Sequence, residues 1–170
     1  MSAHVNLPYE DGGIYIILTT IDAATHRYHW GIFICVSDGF GMVYHVTNTN
    51  TPTREWKYED HMTENVVSSR NIIAALLIGR GLQNDTADAA HRIMASVPVI
   101  ADGSYDSRWG ENFTCRVWVL EAVDRLRQNR LIPNEEAREL QDDAFRLARS
   151  ATSNGTRQMG RSSAVRNQGR

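Results

Sequence analysis

The sequence predicts an α+β fold: an antiparallel β-meander followed by helices packed on one face. Three observations lead there. β-Branched and aromatic runs bounded by turn residues occupy the first half of the chain. Apolar residues spaced three and four apart occupy the second half. No repeat and no linker separates the halves before the last twenty or so residues. At 170 residues, 42% hydrophobic and 22% charged, the chain suits one domain. We place that domain at residues 1–150.

Taken in order, Gly13–Ile21 reads as a strand between Gly12 and Asp22. Tyr28–Val36 is a second strand, Ser37–Gly41 a turn and Met42–Thr47 a third strand. Arg54–Glu59 adds a more exposed fourth. Asn71–Gly79 is apolar and short, so helix and strand are not separable there. Asp85 is a candidate cap for a helix carrying Ala87, Ala90, Met94 and Val97. The strongest helix runs from near Thr114 to about Asn129, with Cys115, Val119, Ala122, Val123 and Leu126 on one face. Pro133 is expected to open a further helix, with Glu135 and Glu136 at its positive end and Leu140, Ala144 and Leu147 as its stripe.

Charge divides unevenly. Residues 149–170 hold five arginines and no acid, so removing them from the formal net charge of −2 leaves −7 on the rest. The segment 151–170 is rich in Ser, Asn, Gly and Arg and poor in large apolar residues. It is expected to form a basic, disordered tail that serves solubility, with a weak contact to tRNA or another polyanion as the alternative. No aromatic residue interleaves those arginines to stack on bases. Two cysteines exclude a disulfide-rich scaffold and a four-cysteine zinc site. No apolar run approaches the ~20 residues of a membrane span. Met1–Pro8 lacks the basic-then-apolar pattern of a secretory signal, so a reducing cytoplasm is the expected compartment.

The chemistry rests on six histidines and two cysteines. His26 and His29 form an H-x-x-H, but residues three apart on a strand face opposite ways and do not share an ion. No metal and no cofactor is expected. His4, His61 and His91 have no informative surroundings and read as surface or structural residues. His29 and His45 sit within strands joined by a short turn. A hairpin centred on Ser37 sets His29 directly opposite His45. A tight Asp38-Gly39 turn sets His45 opposite Ile32 instead, and a bulge permitted by Gly41 restores the first register. The sequence leaves these registers open; with His45 remote, Asn48 or Asn50 would be the candidate orienter of His29. Cys35 lies six residues along the strand from His29, roughly 20 Å away at ~3.3 Å per residue, and reads as a small buried hydrophobe. Cys115 opens the best amphipathic helix, where unpaired N–H groups favour a thiolate or hold an oxyanion.

His29-Trp30-Gly31-Ile32-Phe33-Ile34, then Tyr44-His45-Val46, then Asn112-Phe113-Thr114-Cys115 resembles the circularly permuted NlpC-type papain-like superfamily. That group includes lecithin:retinol acyltransferase and its phospholipase/acyltransferase relatives. The resemblance covers roughly residues 13–130. It implies a papain-like domain in the permuted order His, His, then Cys. It further implies Cys115 as nucleophile, His29 as base and His45 as the orienting third member. The spacing between the histidines is longer here, Asn112 precedes the cysteine by three residues rather than one, and the acyltransferases' membrane anchor is missing. Cys115-Arg116-Val117-Trp118 also resembles a Cys-Arg-x-Trp block of small, mostly fungal proteins, a group similar to the fungal arginine-containing cyclodipeptide synthases. Arg116 and Trp118 themselves read as a surface cation and a core aromatic.

The expected function is that of a cysteine-dependent hydrolase or acyl transferase acting through a thioester on a small-molecule or peptide acyl substrate. The backbone N–H of Cys115 is the expected oxyanion donor. An aminoacyl-transferring variant would draw on tRNA. The alternative is a non-catalytic papain-like binding or interaction module.

Overall fold

Nine consecutive residues of the first strand, all buried or half-buried but one, place side chains alternately on two different cores, which is why the run is apolar without alternation. The computed structural model describes residues 8–49, 51–64, 69 and 71–168. Its main sheet has six strands in the order β4-β3-β2-β1-β5-β8, where β1 is Ile14–Asp22, β2 Arg27–Ser37, β3 Phe40–Thr47, β4 Lys57–Thr63, β5 Ile72–Gly79 and β8 Gln158–Arg161. The first four strands form the expected antiparallel meander, β5 pairs antiparallel to β1, and β8 runs parallel to β5. The fold is α+β, with α1 at Asn84–Ser96, α2 at Cys115–Gln128, α3 at Ala137–Asn154 and a short α4 at Ser163–Asn167. A two-stranded ribbon, β6 (Tyr105–Asp106) with β7 (Glu111–Asn112), leads into α2.

One face of the sheet, carrying Ile16, Leu18, Trp30, Ile32, Tyr44 and Leu76, packs on α1, α2 and α3. The other face, carrying Tyr15, Ile17, Phe33, Cys35, Val43 and Leu77, is covered by Tyr9, Met159 and Val165. The helices are therefore not confined to one face, since Val165 belongs to α4. The ambiguous 71–79 run is a strand, because both of its faces are buried against a core. The first helix is capped by Gln83, whose N–H is bonded to Thr86 Oγ1 at 2.8 Å, and not by Asp85. The third helix begins at Ala137 after a turn at 133–136, so Pro133 precedes it instead of opening it. Glu135 faces away from that helix start and accepts a hydrogen bond from Ala164 N at 3.2 Å.

The segment 151–168 departs most from the expected disordered tail, whose last two residues lie outside the described ones. Residues 151–154 complete α3, and Gly155 ends it at φ 63°, a left-handed cap that turns the chain back along the sheet. Gln158–Arg161 then adds to the open edge of β5, from Ala74↔Gln158 to Leu77↔Arg161. Ser162 caps α4, donates its own N–H to Leu77 O at 2.9 Å, and Val165 is fully buried. Backbone pairing and one valine order a segment whose side-chain composition suggests none of this. Among the described residues no helix is long and apolar enough to cross a membrane.

Candidate active site

The β2–β3 turn decides how the histidines meet. Asp38 (φ 49°) and Gly39 (φ 78°) form a tight two-residue hairpin turn, as their left-handed angles require. Val36 is extruded as a bulge between the Cys35↔Gly41 and Ser37↔Phe40 pairs. The resulting register, Ile32↔Tyr44, lies between the two the sequence left open. Continued by one residue, it brings His45 level with Gly31, two residues from His29 on the same face. Gly31 is what makes the diagonal contact possible. A Cβ there would stand 3.2 Å from Tyr44 O and 3.4 Å from His45 Cβ. With that space empty, His45 leans across, and its Nδ1 lies 2.7 Å from His29 Nε2. The rings are nearly perpendicular, with centroids 5.0 Å apart.

The ladder between β3 and β4 then adds Glu59, which the sequence does not single out, and His61, which it reads as a surface or structural residue. His45 is paired with Glu59, and Val43 with His61. His45 Nε2 lies 3.6 Å from Glu59 Oε2, within ion-pair range but past hydrogen-bond distance. The His45 and His61 ring centroids are 5.8 Å apart. Together with Ile17, Thr19 and Asn71 these histidines line a cavity of about 240 Å³ on this face. Burial lowers the pKa of His29 to about 4, and the neighbouring His45 pushes it the same way. Burial also lowers that of His45, against an upward pull from Glu59. Both imidazoles are therefore neutral at neutral pH, and the short bond between them carries a single proton.

Cys115 is the first residue of α2, behind the cap Thr114, whose Oγ1 accepts from Val117 N at 3.4 Å. Its side chain belongs to the helix-side core, alongside Trp30. Burial pushes the thiol above its usual range, opposed without being cancelled by the backbone N–H groups of Trp30 and Arg116 and by the Arg116 charge. The Trp30 N–H acts here because the β2–β3 ladder ends at Ile32↔Tyr44. Arg116 itself is held by Glu111 and Gln141, and Arg138 also donates to Glu111, at 2.8 Å. Trp118 is fully buried in the helix-side core. Cys35 is packed in the second core at 1% exposure, with its thiol pushed up by burial.

A second cavity of about 480 Å³ opens around the start of α2, with Cys115, Trp30, Tyr28, Trp56, Phe145 and Asn48 in its wall. Among the described residues, His29 is the one that lines both this cleft and the histidine cavity. The structure thus brings His29 and His45 into contact and sets His29 and Cys115 on one cleft. It forms no hydrogen bond between His29 and the Cys115 sulfur. Strand alternation turns Trp30 toward the helices and the His29 side chain toward the opposite face.

The remaining candidates fall elsewhere. His26 lies in the β1–β2 turn at φ 51°, not on a strand, with Nδ1 3.3 Å from the Tyr28 hydroxyl. His91 Nδ1 lies 3.4 Å from the Tyr44 hydroxyl. His4 and Asn50 lie outside the described residues. Among the described residues no three His, Cys, Asp or Glu side chains are placed to hold a metal ion.

A family described as being of unknown function, DUF6914, matches residues 13–157. The chain belongs to that family. The match takes in both histidines, Glu59 and Cys115 and stops short of β8. No curated protein and no solved structure matches the chain.

Proposed function

We propose that the chain is a cysteine-dependent hydrolase or acyl transferase of the permuted papain-like kind, with Cys115 as nucleophile, His29 as base and His45 as orienter. The observation that carries this reading is the 2.7 Å His29–His45 bond on a histidine that also lines the Cys115 cleft. The remaining link is proton transfer between Cys115 and His29, which requires the His29 ring to turn from the face it shares with His45 toward the Cys115 cleft. At rest one is a thiol and the other a neutral imidazole. Transfer therefore accompanies attack instead of preceding it: the sulfur bonds to the acyl carbon as its proton passes to His29. The carbonyl oxygen becomes an oxyanion at the start of α2, where the Cys115 N–H receives it. Collapse expels the leaving group, which takes the proton back from His29, and leaves a thioester. Water or an amine then attacks the thioester, releasing acid or amide and restoring the thiol. Both thiols are free, as this chemistry in a reducing cytoplasm needs.

The alternative, a binding module that keeps the fold without the chemistry, is favoured by two observations: the missing His29–Cys115 hydrogen bond, and the His29 side chain facing away from the helix-side core that holds Cys115. The two readings separate on exposure of the full chain to activated acyl esters of varied chain length, followed by peptide mapping. The enzyme reading expects a thioester at Cys115, none at Cys35, and acylation slowed about 100-fold or more in His29→Ala. Equal acylation of the two cysteines, or none at Cys115 with any ester, overturns it and leaves the binding module.

A further inference from the structure

We propose that Glu59 is a positioning residue, acting through His45 to set the tautomer of His29. The inference rests on the reading of His29 as base, and it begins from an orphan atom. His45 Nε2 is shut off from solvent and has no hydrogen-bond partner. A buried imidazole nitrogen without a partner is costly, and it takes the nearest group of suitable chemistry. That group is the Glu59 carboxylate, directly opposite in the β3–β4 ladder with an oxygen 3.6 Å away.

Two proton arrangements are available to the neutral pair. In the first, His45 carries its proton on Nε2, facing Glu59. Its Nδ1 then holds a lone pair, so His29 Nε2–H donates across the 2.7 Å bond and His29 Nδ1 is left free to accept a proton. In the second, His45 Nδ1–H donates to His29 Nε2, and His29 carries its own proton on Nδ1. The base is then blocked, and the His45 Nε2 lone pair faces a carboxylate. Glu59 selects the first arrangement because an anion repels that lone pair and attracts the N–H. The other groups facing the pair do not supply this bias. Ile17 and Thr19 on β1 and Ile72 on β5 are uncharged, Asn71 is neutral, and His61 on β4 is cationic when charged at all. On the cleft side the ionisable neighbours among the described residues are Cys115, His26, Arg27, Tyr28 and Arg116, and none of them is a carboxylate.

The test is ¹⁵N NMR of the full chain labelled at histidine, at neutral pH, with Cys115 acylation measured on the same samples. The expected wild-type spectrum has His45 protonated on Nε2 and His29 on Nε2. Glu59→Ala is expected to shift both toward the Nδ1–H forms, to lower the His45 pKa, and to slow Cys115 acylation on the order of ten- to a hundredfold. Glu59→Gln, which removes the charge and can donate as well as accept, is expected to shift the tautomers in the same direction as Glu59→Ala. His45 protonated on Nδ1 in the wild type overturns the proposal with no variant needed, as do unchanged tautomers in Glu59→Ala. Tautomers that shift as expected in a chain never acylated at Cys115 uphold the relay and sink the enzyme reading, so the two failures are distinct.

Discussion

A missing methyl group at residue 31 is what lets two imidazoles meet diagonally across neighbouring strands. Gly31→Ala is expected to push His45 away from His29, since the new Cβ meets Tyr44 O and His45 Cβ at 3.2 and 3.4 Å. Overpacking of this kind costs about 1–3 kcal/mol. The check is a paired measurement of denaturant midpoint and His29–His45 NMR contacts, and an intact contact at unchanged stability contradicts the geometry. His29 also makes stability depend on pH. Folded, it takes a proton only near pH 4; unfolded, near 6.5. Between those values the unfolded chain binds more protons, so stability falls as pH drops from 6.5 toward 4, by up to about 1.4 kcal/mol per pH unit. Urea unfolding at about pH 7 and pH 5 measures the loss. His29→Gln, which does not titrate, is expected to flatten the slope.

At the scale of elements, what the sequence makes legible is what a local pattern encodes. The β-branched run of β1 and the His-Trp strand β2 stand where their composition puts them, and Thr114 before Cys115 marks the start of α2. The three candidate residues, His29, His45 and Cys115, are equally readable as residue types in order. Their meeting is not, because one extruded residue, Val36, sets the register and no residue type announces it. Glu59 and His61 escape for a related reason. Their pairing with His45 and Val43 depends on the path of the 48–56 connection, which carries no periodicity to read. The start of α3 slips by four residues from Pro133 because a turn satisfies the backbone there, with Glu135 N donating to Pro133 O at 2.9 Å. A helix–strand choice for an apolar run such as β5 needs knowledge of its neighbours, and here those neighbours are β1 on one side and β8 on the other.

At the scale of the whole molecule, residues 158–167 close the face of the sheet opposite the helices. A chain ending at Asn154 loses β8, Met159, Val165 and the cap on β5, leaving Tyr9 alone of the three residues that cover this face. Its melting temperature is expected to fall roughly 10 °C or more, as the loss of several kcal/mol implies for a domain of this size. Val165→Ala alone is expected to cost about 2 kcal/mol, or about 4–8 °C. Melting curves on the two variants decide the matter, and an unchanged midpoint for the shortened chain would return the segment to the status of a tail. Folding also changes what its arginines offer a polyanion. Arg161 is paired with Glu10 at 3.0 Å and Arg166 with Ser163 Oγ at 3.1 Å, so RNA would meet a shaped surface and not a loose basic strand.

The parallel pairing of β8 with β5 has a consequence for synthesis. A ribosome delivers β1 to β5 long before the ten residues that cover them, and the parallel strand needs α3 as its crossover before it can dock. Until then the nascent chain carries an apolar sheet face and an unpaired β5 edge, the two features that recruit chaperones and invite association with other chains. This fold therefore does not assemble vectorially. It waits for its own final strand, and mutations that weaken that strand should appear first as poor soluble yield in cells.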